Sequence, residues 1–341
     1  MPRYLSTAWE CPEGWYGGLG VYVSKLLPEV AKDGEVLHVC YHGSYDAFRQ
    51  YDYRGARVLR LHEPYVDRSG GVANLQALAF ARDAVNLVPY FDALLAHDIH
   101  SSLLVVAAHE LGVDSLYFTH TAGYVLPLDL AGVFYSRTVV ANSKLTASMI
   151  EQHYGEWVKG KVRVVYPAPP VKPTSEYRRK NNEKPVVVVP SRYQYNKDPG
   201  HVLKQLEEAR GKVDFRVYVF GRGAELYKLP EWVVNLGTVD EDRKYKVLES
   251  ADLVLQVGFP EPFGLVALEA IACGTPVLVS SSSGCAEVLP GEAVYSLENL
   301  AERLVQLLSD PRLREELWWR ERRSRIMSRS WRDVWREVRH G

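Results

Sequence analysis

Apolar and polar positions along the chain follow two alternating rhythms. Short runs rich in branched residues, VLHVC (36–40), ALLAH (93–97) and SLYFTH (115–120), are separated by stretches with helical spacing near 72–95 and 101–111. A second series follows: PVVVVP (185–190), DFRVYVFG (214–221), VVNLG (233–237), DLVLQVG (252–258) and TPVLVS (275–280). Strands alternating with helices predict parallel sheets with crossover helices, and two such series predict two α/β domains. Between them, YPAPPVKPTSEYRRKNNEKP (166–185) has prolines at 167, 169, 170, 173 and 185, which oppose both helix continuation and strand pairing. The expected organisation is a first domain over 1–165, a linker over 166–185, a second domain over 186–325 and a terminal helix over 326–341.

Composition agrees with this division. A chain of 341 residues exceeds the size at which one core keeps growing. Its 47% apolar and 24% charged residues are ordinary for a globular protein, and a net charge of -1 provides no global field to draw in nucleic acid. Charge is uneven locally. Residues 311–341 hold ten arginines, no lysine and five acids, with Trp318, Trp319, Trp331 and Trp335 among them. Trp331, Val334, Trp335 and Val338 share one helical face, which either packs on the body or meets an anionic membrane surface. The cysteines, Cys11, Cys40, Cys273 and Cys285, form no C-x-x-C pair. Widely scattered, they suggest neither a zinc site nor a dense disulfide framework, and a reducing, cytoplasmic setting is expected. The N-terminus has no basic-then-apolar leader, and no apolar run approaches the roughly 18 residues that span a bilayer.

Candidate chemistry gathers at the expected carboxyl ends of strands, where open α/β sheets place ligands. WYGGLGVYVSKLLPEVAK (15–32) sets Gly17, Gly18 and Gly20 before an amphipathic helix carrying Val23, Leu26, Leu27 and Val30, a pattern that fits either an anion site or a plain tight turn. HDIH (97–100) ends one strand and His120 another. Asp98 reads as a helix cap or hydroxyl acceptor, while His97, Asp98 and His100 as metal ligands is the weaker reading. SRYQYNK (191–197) supplies Arg192 and Lys197, two cations suited to a diphosphate, or else forms a solvated loop. In PEPFGLVALEAIACGTPVLVS (260–280), Glu261 falls in a turn and Glu269 inside an apolar helix, where a carboxylate is costly unless hydrogen-bonded. Asp240, in VDED (239–242), reads as a helix N-cap rather than half of a metal-binding D-x-D.

Taken together, GGLG, HDIH, His120, SRYQYNK and above all PEPFGLVALEAIACGTPVLVS with SSGCAEVL resemble the retaining glycosyltransferases of the GT-B fold, in particular the glycogen/starch synthase-like group. The resemblance implies an α/β GT-B architecture, two Rossmann-like parallel-sheet domains facing a central cleft. It implies that Glu261 contacts the donor sugar, that Glu269 binds the ribose hydroxyls, and that Arg192 and Lys197 neutralise the leaving diphosphate. His120 would line the sugar site and Asp98 match the aspartate of the group's H-D-x-H segment. Gly18, Leu19, Phe263, Gly264 and Leu265 would complete the substrate contacts, and SWRDVW (330–335) would be the closing helix that crosses back to the N-terminal domain. The chain departs from bacterial glycogen synthases at Trp15, where they carry lysine.

The implied function is a retaining, metal-independent hexosyltransferase that moves a hexose, glucose first, from an ADP- or UDP-sugar to an α-glucan. It needs no cofactor beyond its donor. A small or lipid-linked acceptor is the alternative, with the terminal Arg/Trp-rich helix as a peripheral membrane contact. A non-catalytic nucleotide-sugar-binding protein is the alternative from another class.

Overall fold

The computed structural model describes residues 1–13, 17–41, 49–61, 72–121 and 129–340; Trp15 lies outside them. The chain divides into two compact units, Met1–Pro167 with Trp331–Gly341, and Ala168–Ser330.

The first unit is built on strands β1 (Arg3–Ala8), β2 (Glu35–Tyr41), β3 (Arg49–Tyr53), β4 (Ala56–Leu61), β5 (Ala93–His97), β6 (Asp114–Thr119), β7 (Thr138–Ala141) and β8 (Val162–Val164). They form one sheet in the order β3-β4-β2-β1-β5-β6-β7-β8, with every pairing parallel except the β3–β4 hairpin. Its helices are α1 (Gly18–Ala31), α2 (Val72–Ala84), α3 (Ser102–Glu110), α4 (Asp129–Tyr135) and α5 (Lys144–Tyr154). Leu5, Val39, Leu94 and Tyr117 from the strands meet Phe80, Leu104 and Ile150 from the helices in the buried core. The hairpin turns at Arg54 and Gly55, both at positive φ, and Asp52 Oδ1 accepts the Gly55 amide at 3.2 Å.

The second unit holds β9 (Val186–Pro190), β10 (Arg216–Phe220), β11 (Val233–Asn235), β12 (Leu253–Gln256), β13 (Val277–Ser280) and β14 (Val294–Tyr295). All pairings are parallel, in the order β11-β10-β9-β12-β13-β14. Val187, Val188, Leu253, Val254 and Leu278 are fully buried, as expected for strands covered on both faces, which is why they read as unbroken apolar runs. The helices are α6 (Leu203–Arg210), α7 (Glu241–Ser250), α8 (Leu265–Ala272), α9 (Leu300–Ser309) and α10 (Pro311–Arg323). Asp240 caps α7 by accepting the Arg243 amide at 2.7 Å. Arg314 of α10 donates to the last carbonyls of α9 and pairs with Asp252 at 3.2 Å, both side chains buried. The other Asp252 oxygen accepts the Val186 amide at the start of β9.

The last helix, α11 (Trp331–His340), belongs to the first unit and packs on α1. Its stripe of Trp331, Val334, Trp335 and Val338 is buried, and Trp318 of α10 is fully enclosed. A membrane surface would therefore meet the arginines of α11 and not its tryptophans. Asp33, just beyond α1, accepts from Arg332 at 2.7 Å, Arg339 at 2.9 Å and the Trp335 indole at 2.9 Å. These donors, Arg332 foremost, hold its carboxyl down at about 2. Among the described residues no helix is long and apolar enough to cross a membrane.

Cys11 and Cys40 are joined in a disulfide, a single bridge that the sequence reading, which set aside a zinc site and a dense framework, did not anticipate. The parallel register sets Cys40 beside Ala8, so the chain leaving β1 passes Cys40 three residues later. Cys273 and Cys285 are free and buried.

Candidate functional site

Each sheet has one point where strand order reverses direction, the place where parallel α/β sheets open a crevice at their carboxyl ends. In the second unit it lies between β9 and β12. The loop after β9 carries Arg192 and Lys197, and the turn after β12 carries Glu261. Lys197 Nζ pairs with Glu261 Oε2 at 2.8 Å, the lysine partly exposed and the glutamate nearly buried. The two segments are stitched by their backbones: Phe259 N donates to Asn196 O at 2.9 Å, and the Asn196 side-chain amide donates to Pro260 O at 2.7 Å. Arg192 Nε donates to Gln194 Oε1 at 2.9 Å, while the Tyr227 hydroxyl donates to Arg192 O and accepts from Gln194 N.

Glu261 is held from below as well. Its amide donates to Ser282 O and its carbonyl accepts from Gly284 N. Gly258 makes this seat: a Cβ there would lie 2.4 Å from the Glu261 Cβ. Phe263 is buried, with its carbonyl accepting from Cys285 N and Ser283 Oγ. Gly264 caps α8 at φ +92, a conformation glycine adopts without strain, so Leu265 and Val266 open the helix with their amides directed outward. Glu269, farther along α8, is buried and accepts from Lys244 Nζ at 2.8 Å and the Tyr245 hydroxyl at 3.2 Å. These two α7 residues are absent from the sequence-level site. A lysine and a tyrosine on a polar helix give no signal until α7 is seen packed on α8.

In the first unit the reversal lies between β1 and β5. The GGLG turn is already engaged: Glu10 Oε2 accepts the Gly17 amide at 3.1 Å and the Gly20 amide at 2.7 Å. Gly18 is exposed, with open space where a Cβ would stand, and Leu19 is partly exposed. At the ends of β5 and β6, His97 Nδ1 lies 3.1 Å from His120 Nε2, and the Tyr22 ring meets His120 edge-on at 4.8 Å. Burial lowers the pKa of both imidazoles, His120 to about 3 and His97 well below its ordinary value. Both are neutral, so the pair can share one hydrogen bond but carries no charge. The metal reading of HDIH gains no support. His100 stacks on Trp9 instead, and among the described residues no three His, Cys, Asp or Glu side chains gather as a metal site.

Asp98 is the strained residue of this unit. It sits at φ 64, ψ -179, a region that only glycine enters without cost. Its carboxylate is buried and accepts from Thr121 Oγ1 at 3.1 Å. Burial first, and the nearby Asp129 second, push its pKa up to about 7.

Residues 17–172 match the glycosyl transferase 4-like domain family, and residues 173–323 match glycosyl transferases group 1. An uncharacterised glycosyltransferase of Methanocaldococcus jannaschii is 38% identical over 112 residues, 31% of this chain and 29% of its own. N-acetyl-alpha-D-glucosaminyl L-malate synthase of Bacillus anthracis is 30% identical, covering 44% of this chain and 42% of its own. The D-inositol 3-phosphate glycosyltransferase of Paenarthrobacter aurescens is 28% identical, covering 67% and 66%. These matches thus span between about a third and two thirds of the relatives' lengths. Among solved structures, sucrose-phosphate synthase from Thermosynechococcus elongatus superposes with a TM-score of 0.72 at 17% identity over 99% of this chain and 95% of its own. Anabaena HepE, solved with UDP and glucose, gives 0.72 at 16% identity over 99% and 98%. At such identities the likeness shows the fold. With two parallel-sheet units, and with family matches that together run from residue 17 to residue 323, the chain belongs to the glycosyltransferases of the GT-B fold.

Proposed function

We propose that the protein transfers a hexosyl group from a nucleotide-sugar to the hydroxyl of a small or lipid-linked acceptor, with retention of configuration and without metal participation. The observation that carries this reading is the Lys197–Glu261 pair at the strand-order reversal of the second unit, one turn of chain before the N-terminus of α8. Departure of a nucleoside diphosphate builds negative charge on its phosphate oxygens. Lys197, Arg192 and the first amides of α8 supply positive charge and fixed dipoles where that charge develops. Glu261, oriented by Lys197, accepts from hydroxyls of the sugar. The C1–O bond to phosphate breaks and a C1–O bond to the acceptor forms on the same face, with a phosphate oxygen taking the acceptor's proton. In the first unit, neutral His120 and Asp98 are the groups assigned to substrate hydroxyls. The small acceptor is preferred over α-glucan because two of the relatives are named for malate and inositol 3-phosphate products or substrates.

The test is release of nucleoside diphosphate from ADP-, UDP- and GDP-hexoses with malate, inositol phosphates, polyprenyl phosphate, maltooligosaccharide or glycogen, each with and without EDTA. Release that depends on a small or lipid acceptor and persists in EDTA is expected. Stimulation by glucans alone would favour the α-glucan reading, and no release from any donor would overturn both. Lys197→Ala and Glu261→Ala should each lower turnover by about a thousandfold with the circular dichroism spectrum unchanged. Near-normal rates would remove these residues from the mechanism.

A further inference from the structure

Glu269 lies within a helix whose neighbouring positions, Ala267, Leu268, Ala270 and Ile271, are buried core. Its side chain is 4% exposed. A carboxylate placed there is costly unless donors meet it. They come from α7, and both go to the same atom: Lys244 Nζ at 2.8 Å and the Tyr245 hydroxyl at 3.2 Å each reach Oε1. Among the described residues no donor reaches Oε2. A carboxylate has lone-pair sites for about four hydrogen bonds, so a structural ion pair has no need to load one oxygen and leave the other.

The donors themselves are fixed. The Lys244 ammonium sits 4.5 Å from the centre of the Tyr245 ring and is 15% exposed. Burial, then the charges of Glu269 and Glu241, raise the pKa of the Tyr245 hydroxyl, so it remains a donor at every working pH.

We infer that Lys244 and Tyr245 are positioning residues that orient Glu269 through Oε1, so that Oε2 is left to accept the vicinal hydroxyls of a ribonucleoside diphosphate. This rests on the proposed reading of the second unit as a nucleotide-sugar site. The lysine contributes by orienting the carboxylate, and its loss should act on recognition of the diol alone.

The experiment compares binding of UDP, ADP and GDP with that of their 2′,3′-dideoxy counterparts by calorimetry. Wild-type protein should prefer the ribonucleotide by about ten- to a hundredfold, the worth of one hydrogen bond to a charged group. In Lys244→Met that preference should vanish while dideoxynucleotide affinity stays at the wild-type level. Lys244→Arg should restore most of it. A purely structural role would weaken both ligands together and leave their ratio intact. If Lys244→Met keeps the wild-type preference, the positioning role is overturned and the nucleotide site stands. If wild-type protein binds no nucleotide, or binds both forms alike, the reading of Glu269 falls and takes this inference with it. Should Lys244→Met not fold, Tyr245→Phe carries the test, because it removes only a hydroxyl: a reduced preference supports the inference and an unchanged one overturns it.

Discussion

Asp98 combines three costs in one residue: a backbone conformation proper to glycine, a buried carboxyl, and a second carboxylate nearby. Its folded pKa of about 7 stands above the ordinary 3.8. The proton is therefore retained on folding, and the associated stability is complete below about pH 4 and lost as pH rises through about 7. Asp98→Asn should accordingly gain thermal stability relative to wild type as pH rises from 4 to 7, with the gap level above that, as melting curves across the range would record. If Asp98 accepts a substrate hydroxyl as a carboxylate, wild-type turnover should rise through the same interval, and the Asn variant should lose both the rise and most of its rate. A gap independent of pH would assign the proton elsewhere. At this scale the sequence was only half legible. HDIH and the two glutamates could be placed on a strand end, a turn and a helix from local pattern alone. Their partners Thr121 and Lys244, 23 and 25 residues from Asp98 and Glu269, could not, being of types common on any surface, and Lys197, though named as a diphosphate cation, was not matched to Glu261 64 residues away.

Elements were legible where burial is two-sided. ALLAH is β5 to the residue, and PVVVVP, DLVLQVG and TPVLVS each contain the strand observed. The sequence-level reading omitted β1, β3, β4, β7, β8 and β14. In the outer hairpin, Gln50 and Asp52 alternate with the tyrosines of β3, and Arg57 and Arg60 interrupt β4, so neither forms an apolar run, and β7, β8 and β14 are four residues or fewer. The helix expected over 72–95 ends as α2 at Ala84, followed by a tighter turn over Val85–Tyr90 that contains Pro89. The GGLG turn shows why motif and ligand are separate claims: its outer amides bind Glu10 of the chain itself. Tertiary joints between elements carry their own prediction. Arg314 ties α10 to the end of α9 and, through Asp252, to the start of β9. Arg314→Met would leave Asp252 buried without its counter-charge, so urea unfolding should lose about 3–5 kcal/mol. Arg314→Met with Asp252→Asn should recover much of that. A loss below about 1 kcal/mol would show that the pair is not a joint.

For the whole molecule, the connection that matters runs from the end of the chain back into the first unit. Asp33 holds α11 through three donors, and Trp335 meets Tyr4 of β1 edge-on at 5.5 Å. Trp331 meets Tyr22, which in turn meets His120. Because the folded pKa of Asp33 is about 2, below its ordinary 3.8, this stabilisation is present above about pH 4 and fades as pH falls through 2. Asp33→Asn should raise amide exchange across Trp331–His340 at pH 7, with the difference from wild type shrinking toward pH 2. Equal exchange at pH 7 would show that apolar packing alone retains the helix. The same connection sets an order in time. A ribosome emits β1 more than three hundred residues before α11, with all of the second unit between them, so the first unit cannot be finished until the second has been made. The second unit can close while Tyr4 and Tyr22 still await their tryptophans.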